Sequence, residues 1–277
     1  MITDFHTHAF PDGLAARAIQ ALEAETGDVK AHLDGRLASL LASMDRAGIG
    51  RAVICSIATR PEQFEAILKW SEQIASERIV PFPSVHPRDP QARERIRRVR
   101  AAGFLGVKLH PYYQDFVLDE EALWPVYEEL QKQGLILVCH TGFDIAFPRV
   151  RRCDPARIAE VRRRFPELLF VATHAGGWED WDEVRARLLG RPIYMEISFS
   201  LEVLPRAAAR ALLLEHPAEY LLFGTDSPWQ DQAAALALVR GLDLGAEREA
   251  ALLERNAERL LAASRAAAGG GPEKGSA

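Results

Sequence analysis

Cysteine is scarce: Cys55, Cys139 and Cys153 are the only three in 277 residues. That is too few for a disulfide framework in a chain of this size, and a reduced cytoplasmic setting is the expectation. No run approaches the roughly 20 apolar residues of a membrane-spanning helix. The start, Ile2-Thr3-Asp4-Phe5-His6, lacks a basic segment followed by an apolar one, so no secretory signal is read. Basic charge is not in excess either. Lys plus Arg number 34 against 39 for Asp plus Glu, a net charge of −5, which argues against a nucleic-acid partner. No Gly-x-Gly-x-x-Gly follows the first apolar run, so a dinucleotide-binding sheet lacks its phosphate loop. What remains, 48% hydrophobic and 26% charged, is an ordinary globular balance. A small-molecule substrate is the expected partner, with no nucleic acid and no membrane; a homodimer is compatible with this composition.

Eight short apolar, β-branched runs alternate with helix-period segments: Ile2–His6, Ala52–Ile57, Ile79–Val85, Gly106–His110, Leu135–His140, Leu168–His174, Ile193–Ser198 and Tyr220–Thr225. Runs such as Leu135-Ile136-Leu137-Val138 are apolar without alternation, as parallel strands buried on both faces require. Helix starts are readable between them. Asp154 before Pro155 is an N-cap followed by a first-turn proline, with Ile158, Val161 and Phe165 at helical spacing. Leu37, Leu40, Leu41 and Met44 form a second stripe, ending near Gly48. Pro125 places a short turn before it and the main helix after it. Eight βα units predict a single α/β domain, a (β/α)8 TIM barrel, over residues 1–265. Leu14 to Asp34 reads as an insertion capping the barrel mouth. From Ala266 to Ala277 the Ala- and Gly-rich composition predicts a disordered tail.

Histidine carries the chemistry. His6 and His8 form His-x-His at the first strand end, where alternate residues share a face. His140 ends the fifth strand, His174 the sixth, and Asp226 follows the eighth. Any one of these has a plain structural reading, as a hydrogen-bonded histidine or a turn aspartate. Five together at carboxyl strand ends, where barrel enzymes build their sites, need a cation to satisfy them.

The ordered motifs His-x-His, Gly-Val-Lys-Leu-His-Pro, His-Thr-Gly, His-Ala-Gly-Gly and Phe-Gly-Thr-Asp-Ser-Pro-Trp resemble the amidohydrolase superfamily. More closely, they resemble its amidohydrolase-related branch, which includes aminocarboxymuconate-semialdehyde decarboxylase. The resemblance covers the chain up to the tail. It implies the barrel and one divalent metal, zinc or else manganese, held by His6, His8, His140 and Asp226. In decarboxylase-like members His174 contacts the metal's water, or joins the ligands when a second metal is present.

Three imidazoles and a carboxylate leave an open coordination position on a zinc-like ion, and a water there is acidified toward pH 7. Asp226 then doubles as proton acceptor, and His174 orients the nucleophile or polarises the electrophile. Lys108 and His110 share the inner face of the fourth strand. Lys108 is read as a cationic wall for substrate, with carboxylation and a two-metal site as the alternative; His110 is not read as a ligand. Trp178 and Trp229, each just past a strand end, are candidates to contact substrate, with loop packing as the other reading. His32 and His216 read as surface residues, and Cys139 as core. The expected activity is metal-dependent hydrolysis of an amide, ester or lactone of a small organic acid. The alternative is a non-oxidative decarboxylase or hydratase of a small unsaturated or aromatic acid.

Overall fold

The computed structural model describes residues 1–27 and 29–269. Eight strands appear among them: β1 (Thr3–Thr7), β2 (Arg51–Cys55), β3 (Ile79–Phe82), β4 (Gly106–Leu109), β5 (Ile136–Cys139), β6 (Phe170–Ala172), β7 (Tyr194–Glu196) and β8 (Leu221–Leu222). All are parallel to their neighbours, and each overlaps one of the eight runs read from the sequence, with β1 running one residue past its run and β2 starting one residue before. The order is sequential, β1 to β3 and β4 to β8. Two seams complete the ring. The Lys108 amide donates to Pro83 O (3.0 Å), and the Phe5 amide to Phe223 O (2.8 Å). The barrel is closed.

The helices follow the strands. The described ones are α1 (Asp12–Thr26), α2 (Leu37–Ala47), α3 (Phe64–Ile74), α4 (Ala92–Ala101), α5 (Trp124–Lys132), α6 (Pro155–Arg164), α7 (Trp181–Arg187), α8 (Ser200–Val203), α9 (Arg206–Glu215), α10 (Gln232–Gly241), α11 (Ala246–Ala250) and α12 (Asn256–Gly269). A π-helical turn, Ala251–Arg255, joins the last two. The start of α6 is as the sequence indicates: Asp154 accepts from the Ala156 amide and Pro155 opens the first turn. Likewise α5 opens on Trp124-Pro125 after a 3-10 turn over Glu121–Leu123. Helix α12 runs to Gly269, so the tail boundary expected at Ala266 falls inside a helix; residues 270–277 lie outside the described residues.

Two apolar layers hold the barrel. Outward-facing strand residues such as Ala52, Ile54, Leu137 and Cys139 pack against the helices. Their alternates, Phe5, Val53, Phe82, Ile136, Val138, Val171 and Leu222, fill the interior, and Ala257, Leu260 and Leu261 of α12 join them. Polar groups are thereby confined to the opposite, carboxyl end. A bulge in β1 makes this division work. Asp4 pairs with Ala52 but Thr7 with Ile54, one residue out of step. The extra residue lets Phe5 pack inside while His6, its neighbour, also turns inward.

The segment after β1 closes over this end. Tyr113, in the loop after β4, is bonded through its hydroxyl to Glu25 of α1 (3.0 Å), and the His32 amide donates to Pro228 O beyond β8 (2.7 Å).

Candidate metal centre

His6, His8 and Asp226 come together as expected. Their ligand atoms lie within 4.8 Å of one another. Asp226 Oδ1 is 2.8 Å from His8 Nε2 and 3.3 Å from His6 Nε2. Yet this buried oxygen receives no aligned hydrogen bond. Burial opposes its ionisation, but the surrounding imidazoles of His6 and His8 hold the carboxyl well below the usual carboxylate range. A buried carboxylate oxygen with no aligned hydrogen bond, 2.8 and 3.3 Å from two imidazole nitrogens, is a donor set that fits a cation.

His140 stands apart from those three. Its Nε2 lies 3.0 Å from Phe143 O and its Nδ1 3.1 Å from His174 Nε2. A carbonyl only accepts, so the His140 proton sits on Nε2. His174 Nδ1 is 3.3 Å from Ser198 O, which by the same argument puts the His174 proton on Nδ1. Burial lowers His140 well below the ordinary histidine value and His174 to about 4, so both rings are neutral. The two nitrogens that face each other therefore both carry lone pairs. Nitrogens so disposed suit a shared cation, and the donor set fits a divalent metal.

Backbone strain concentrates here. His174, Ala175, Phe199 and Asp226 all have φ between 53 and 60°, a region costly for residues with a Cβ and common at functional sites. The loops after β5 and β6 are locked backbone to backbone. The Trp178 amide donates to Thr141 O (2.9 Å) and the Phe143 amide to Trp178 O (2.9 Å).

The remaining expected residues are distributed as follows. Lys108 is buried on the inner face, its Nζ 3.0 Å from His6 Nε2. It therefore abuts the ligand set. Trp178 is half-buried with its ring 6.2 Å from that of His174. Trp229 is half-buried one turn past Asp226, its amide donating to Asp226 O (3.0 Å). His110 stacks on His140 at 4.2 Å, and its Nε2 lies 3.3 Å from Asp144 Oδ2. His140, His110 and Asp144 make a second group of metal-binding residue types. The Tyr113 amide points at His110 Nδ1 (3.5 Å), so the His110 proton is on Nε2 and Asp144 serves as its acceptor. His32 is exposed as read, but His216 is not a surface residue: it is fully buried, its Nε2 2.9 Å from Ile193 O.

Glu196, Ser198 and Asp144 were not singled out from the sequence. Glu196 and Ser198 alternate with Met195 and Ile197, which face the helices, so parity alone puts an acid inside the barrel. A buried acid needs a partner, and that was the available signal.

A closed parallel barrel whose carboxyl-end loops carry convergent imidazoles and an ionised aspartate defines a barrel enzyme of the metal-binding kind. The chain belongs to the amidohydrolase family, whose model matches residues 3–262. Among solved structures, it is similar to an uncharacterised TIM-barrel protein of Bordetella bronchiseptica, with 20% identity, TM-score 0.76, and 95% of this chain and 99% of that one covered. It is also similar to 5-carboxyvanillate decarboxylase of Sphingomonas paucimobilis, with 17% identity, TM-score 0.68, and 94% and 98% covered. A dihydroorotase of Delftia acidovorans is 32% identical over 103 residues; the matched stretch spans 34% of this chain and 30% of that protein.

Proposed function

We propose that the protein is a divalent-metal-dependent hydrolase acting on an amide, ester or lactone of a small organic acid. The observation that carries this reading is the convergence of His6, His8 and the buried Asp226 carboxylate oxygen that lacks an aligned hydrogen bond. Those three residues, with His140 as a further nitrogen ligand, would hold one ion, zinc before manganese. Bound there, such an ion would supply an acidified water and a Lewis acid for the scissile carbonyl.

The chain's own groups account for the proton traffic. Asp226, held ionised, accepts the proton of the attacking water. His174 presents an Nε2 lone pair that can take that proton from Asp226 and then, as imidazolium, give it to the leaving group, so the imidazole ends neutral again. Lys108, buried beside His6, offers positive charge to a substrate oxygen at the floor of the mouth. Trp178 and Trp229 flank the entry and fit an apolar substrate body. The free, buried thiols of Cys55, Cys139 and Cys153 suit a reduced cytoplasmic setting. Among the described residues, no helix is long and apolar enough to cross a membrane.

Decarboxylation is the second reading, favoured by the barrel shared with 5-carboxyvanillate decarboxylase. Against it stands the pairing of nearby cations. Arg149, Arg151 and Arg152 of the loop after β5 are engaged by Glu179, Asp180 and Asp115, so none of these three is free to anchor an aromatic carboxylate.

The test offers metal-loaded protein a panel of lactones, esters and amides alongside 5-carboxyvanillate and related aromatic acids. Chelator-sensitive acid release from the first group is expected. Carbon dioxide release from the second with no hydrolysis of the first overturns the hydrolase reading.

A further inference from the structure

Glu196 ends β7 and is fully buried in the barrel. Its Oε2 lies 2.9 Å from His6 Nδ1 and accepts from the Ser198 hydroxyl, also at 2.9 Å. Its Oε1 accepts from the Ser198 amide. The Ser198 hydroxyl oxygen in turn sits 3.1 Å from His174 Nδ1. A hydroxyl has one proton to give, and Glu196 takes it, so Ser198 receives the Nδ1 proton of His174. The result is one directed chain, His174 to Ser198 to Glu196, met from the other side by the Nδ1 proton of His6.

The neighbouring strand is shaped around this carboxyl. A Cβ on Gly224, just past β8, would stand 2.2 Å from Glu196 Oε1 and 2.6 Å from its Cδ. Only glycine leaves that room.

We propose that Glu196 is a positioning residue that holds His6 directly and His174 through Ser198, so that both rings turn their Nε2 lone pairs into the metal centre. The chemistry it serves rests on the reading given above. The need for it comes from Asp226. That carboxylate, 3.3 Å from His6 Nε2, is an acceptor that would draw the ring proton inward and block the ligand nitrogen, against the Lys108 ammonium, a donor 3.0 Å from the same nitrogen. Glu196 competes for the same proton from the far side of the ring. One buried acid thus holds the rings of a metal ligand and of the acid/base group together, reinforcing the Nδ1 protons that Lys108 Nζ at His6 Nε2 and the Ser198 carbonyl at His174 Nδ1 also favour, in the manner of carboxylates behind metal-bound histidines.

The test reads the tautomers themselves. Metal-free protein labelled with ¹⁵N-histidine is examined by long-range ring ¹⁵N–¹H spectra, and zinc affinity is measured by competition with a chromophoric chelator. In the wild type, His6 and His174 should both carry the proton on Nδ1. Ser198→Ala should change the His174 signals strongly and those of His6 only slightly, since the hydroxyl is 3.3 Å from His6 Nδ1 while Glu196 keeps its own contact there at 2.9 Å. Glu196→Ala should change both, and weaken zinc binding about 10–100-fold. Glu196→Gln, whose amide oxygen can still accept from His6, should recover most of that loss. Thermal melts identify any variant that fails to fold, in which case Ser198→Ala alone decides. Wild-type ring signals in Glu196→Ala, a Ser198→Ala variant with unchanged His174 signals, or a Gln variant no better than Ala would each overturn the proposal. A wild type with these tautomers but no zinc affinity sinks the metal reading and leaves the positioning role standing.

Discussion

His174 Nε2 and His140 Nδ1 face each other across 3.1 Å with no proton between them. Two nitrogens bound to one tetrahedral ion at about 2.0–2.1 Å stand only slightly farther apart. The pair thus has the spacing of co-ligands, while His6, His8 and Asp226 form a separate convergence. If a single ion sits on those three with His140 as its fourth ligand, His174→Ala should keep one metal equivalent and lose turnover by roughly 10²–10⁴, the worth of one positioned acid or base. Elemental analysis of protein purified without chelator checks this. Two equivalents in the wild type and one in the variant would place a second ion between His140 and His174.

Asp226→Asn separates ligand charge from backbone demand. Asp226 has φ 55°, and its amide donates to His6 O at 2.7 Å. Asparagine tolerates that conformation, so the fold should persist with a melting temperature close to wild type. The amide cannot supply the anionic oxygen, however. Zinc affinity and turnover should fall together, as loss of both a ligand and a proton acceptor requires. A variant with full metal content and near-normal turnover would remove Asp226 from both roles.

The barrel was legible because buried parallel strands are apolar on both faces, as Leu135-Ile136-Leu137-Val138 is, and eight short apolar or β-branched runs alternate with helix-period segments. His6, His8 and Asp226 were legible because the strand ends fix where they meet. His140 was assigned to the same ligand group, yet its ring proton is claimed by Phe143 O and its inward nitrogen meets His174 first. That division depends on loop carbonyls, which no residue type encodes. Glu196 escaped because a lone acid on a strand has no motif; its meaning comes from His6, 190 positions away in sequence. His216 was misplaced for a similar reason. It caps the end of α9 but is buried there by contact with the segment before β7, a tertiary effect absent from local pattern.

That burial of His216 makes a pH prediction away from the metal centre. Burial lowers its pKa below 6.5, because the charged ring is disfavoured inside. Below pH 6.5 the unfolded chain binds a proton that the native state refuses. Its contribution is therefore intact above pH 6.5 and is lost as pH falls toward the folded value. His216→Leu removes this linkage along with the hydrogen bond to Ile193. Thermal melts of both metal-free proteins at pH 7.5 and 5.5 should show the variant less stable at 7.5, with the gap narrowing at 5.5. A gap that is constant or wider at 5.5 contradicts the assignment.

Gly142 decides whether the His140 and His174 loops stay in register. Its φ is +88°, and a Cβ there would lie 2.0 Å from the Trp178 nitrogen and 2.5 Å from the Trp178 oxygen. Those atoms make the hydrogen bonds to Thr141 and Phe143 that lock the two loops together. Gly142→Ala must therefore both strain its own backbone and push the loops apart. Neither can be relieved by a flexible side chain, since every close atom is main chain. Conformational strain of about 1–3 kcal/mol adds to the lost hydrogen bonds, so denaturant unfolding should show a loss of roughly 3 kcal/mol. The wider spacing of His140 and His174 should also lower turnover in the fraction that folds, and weaken metal binding through His140. A variant as stable and as active as the wild type would mean that the two loops are positioned by their strands alone.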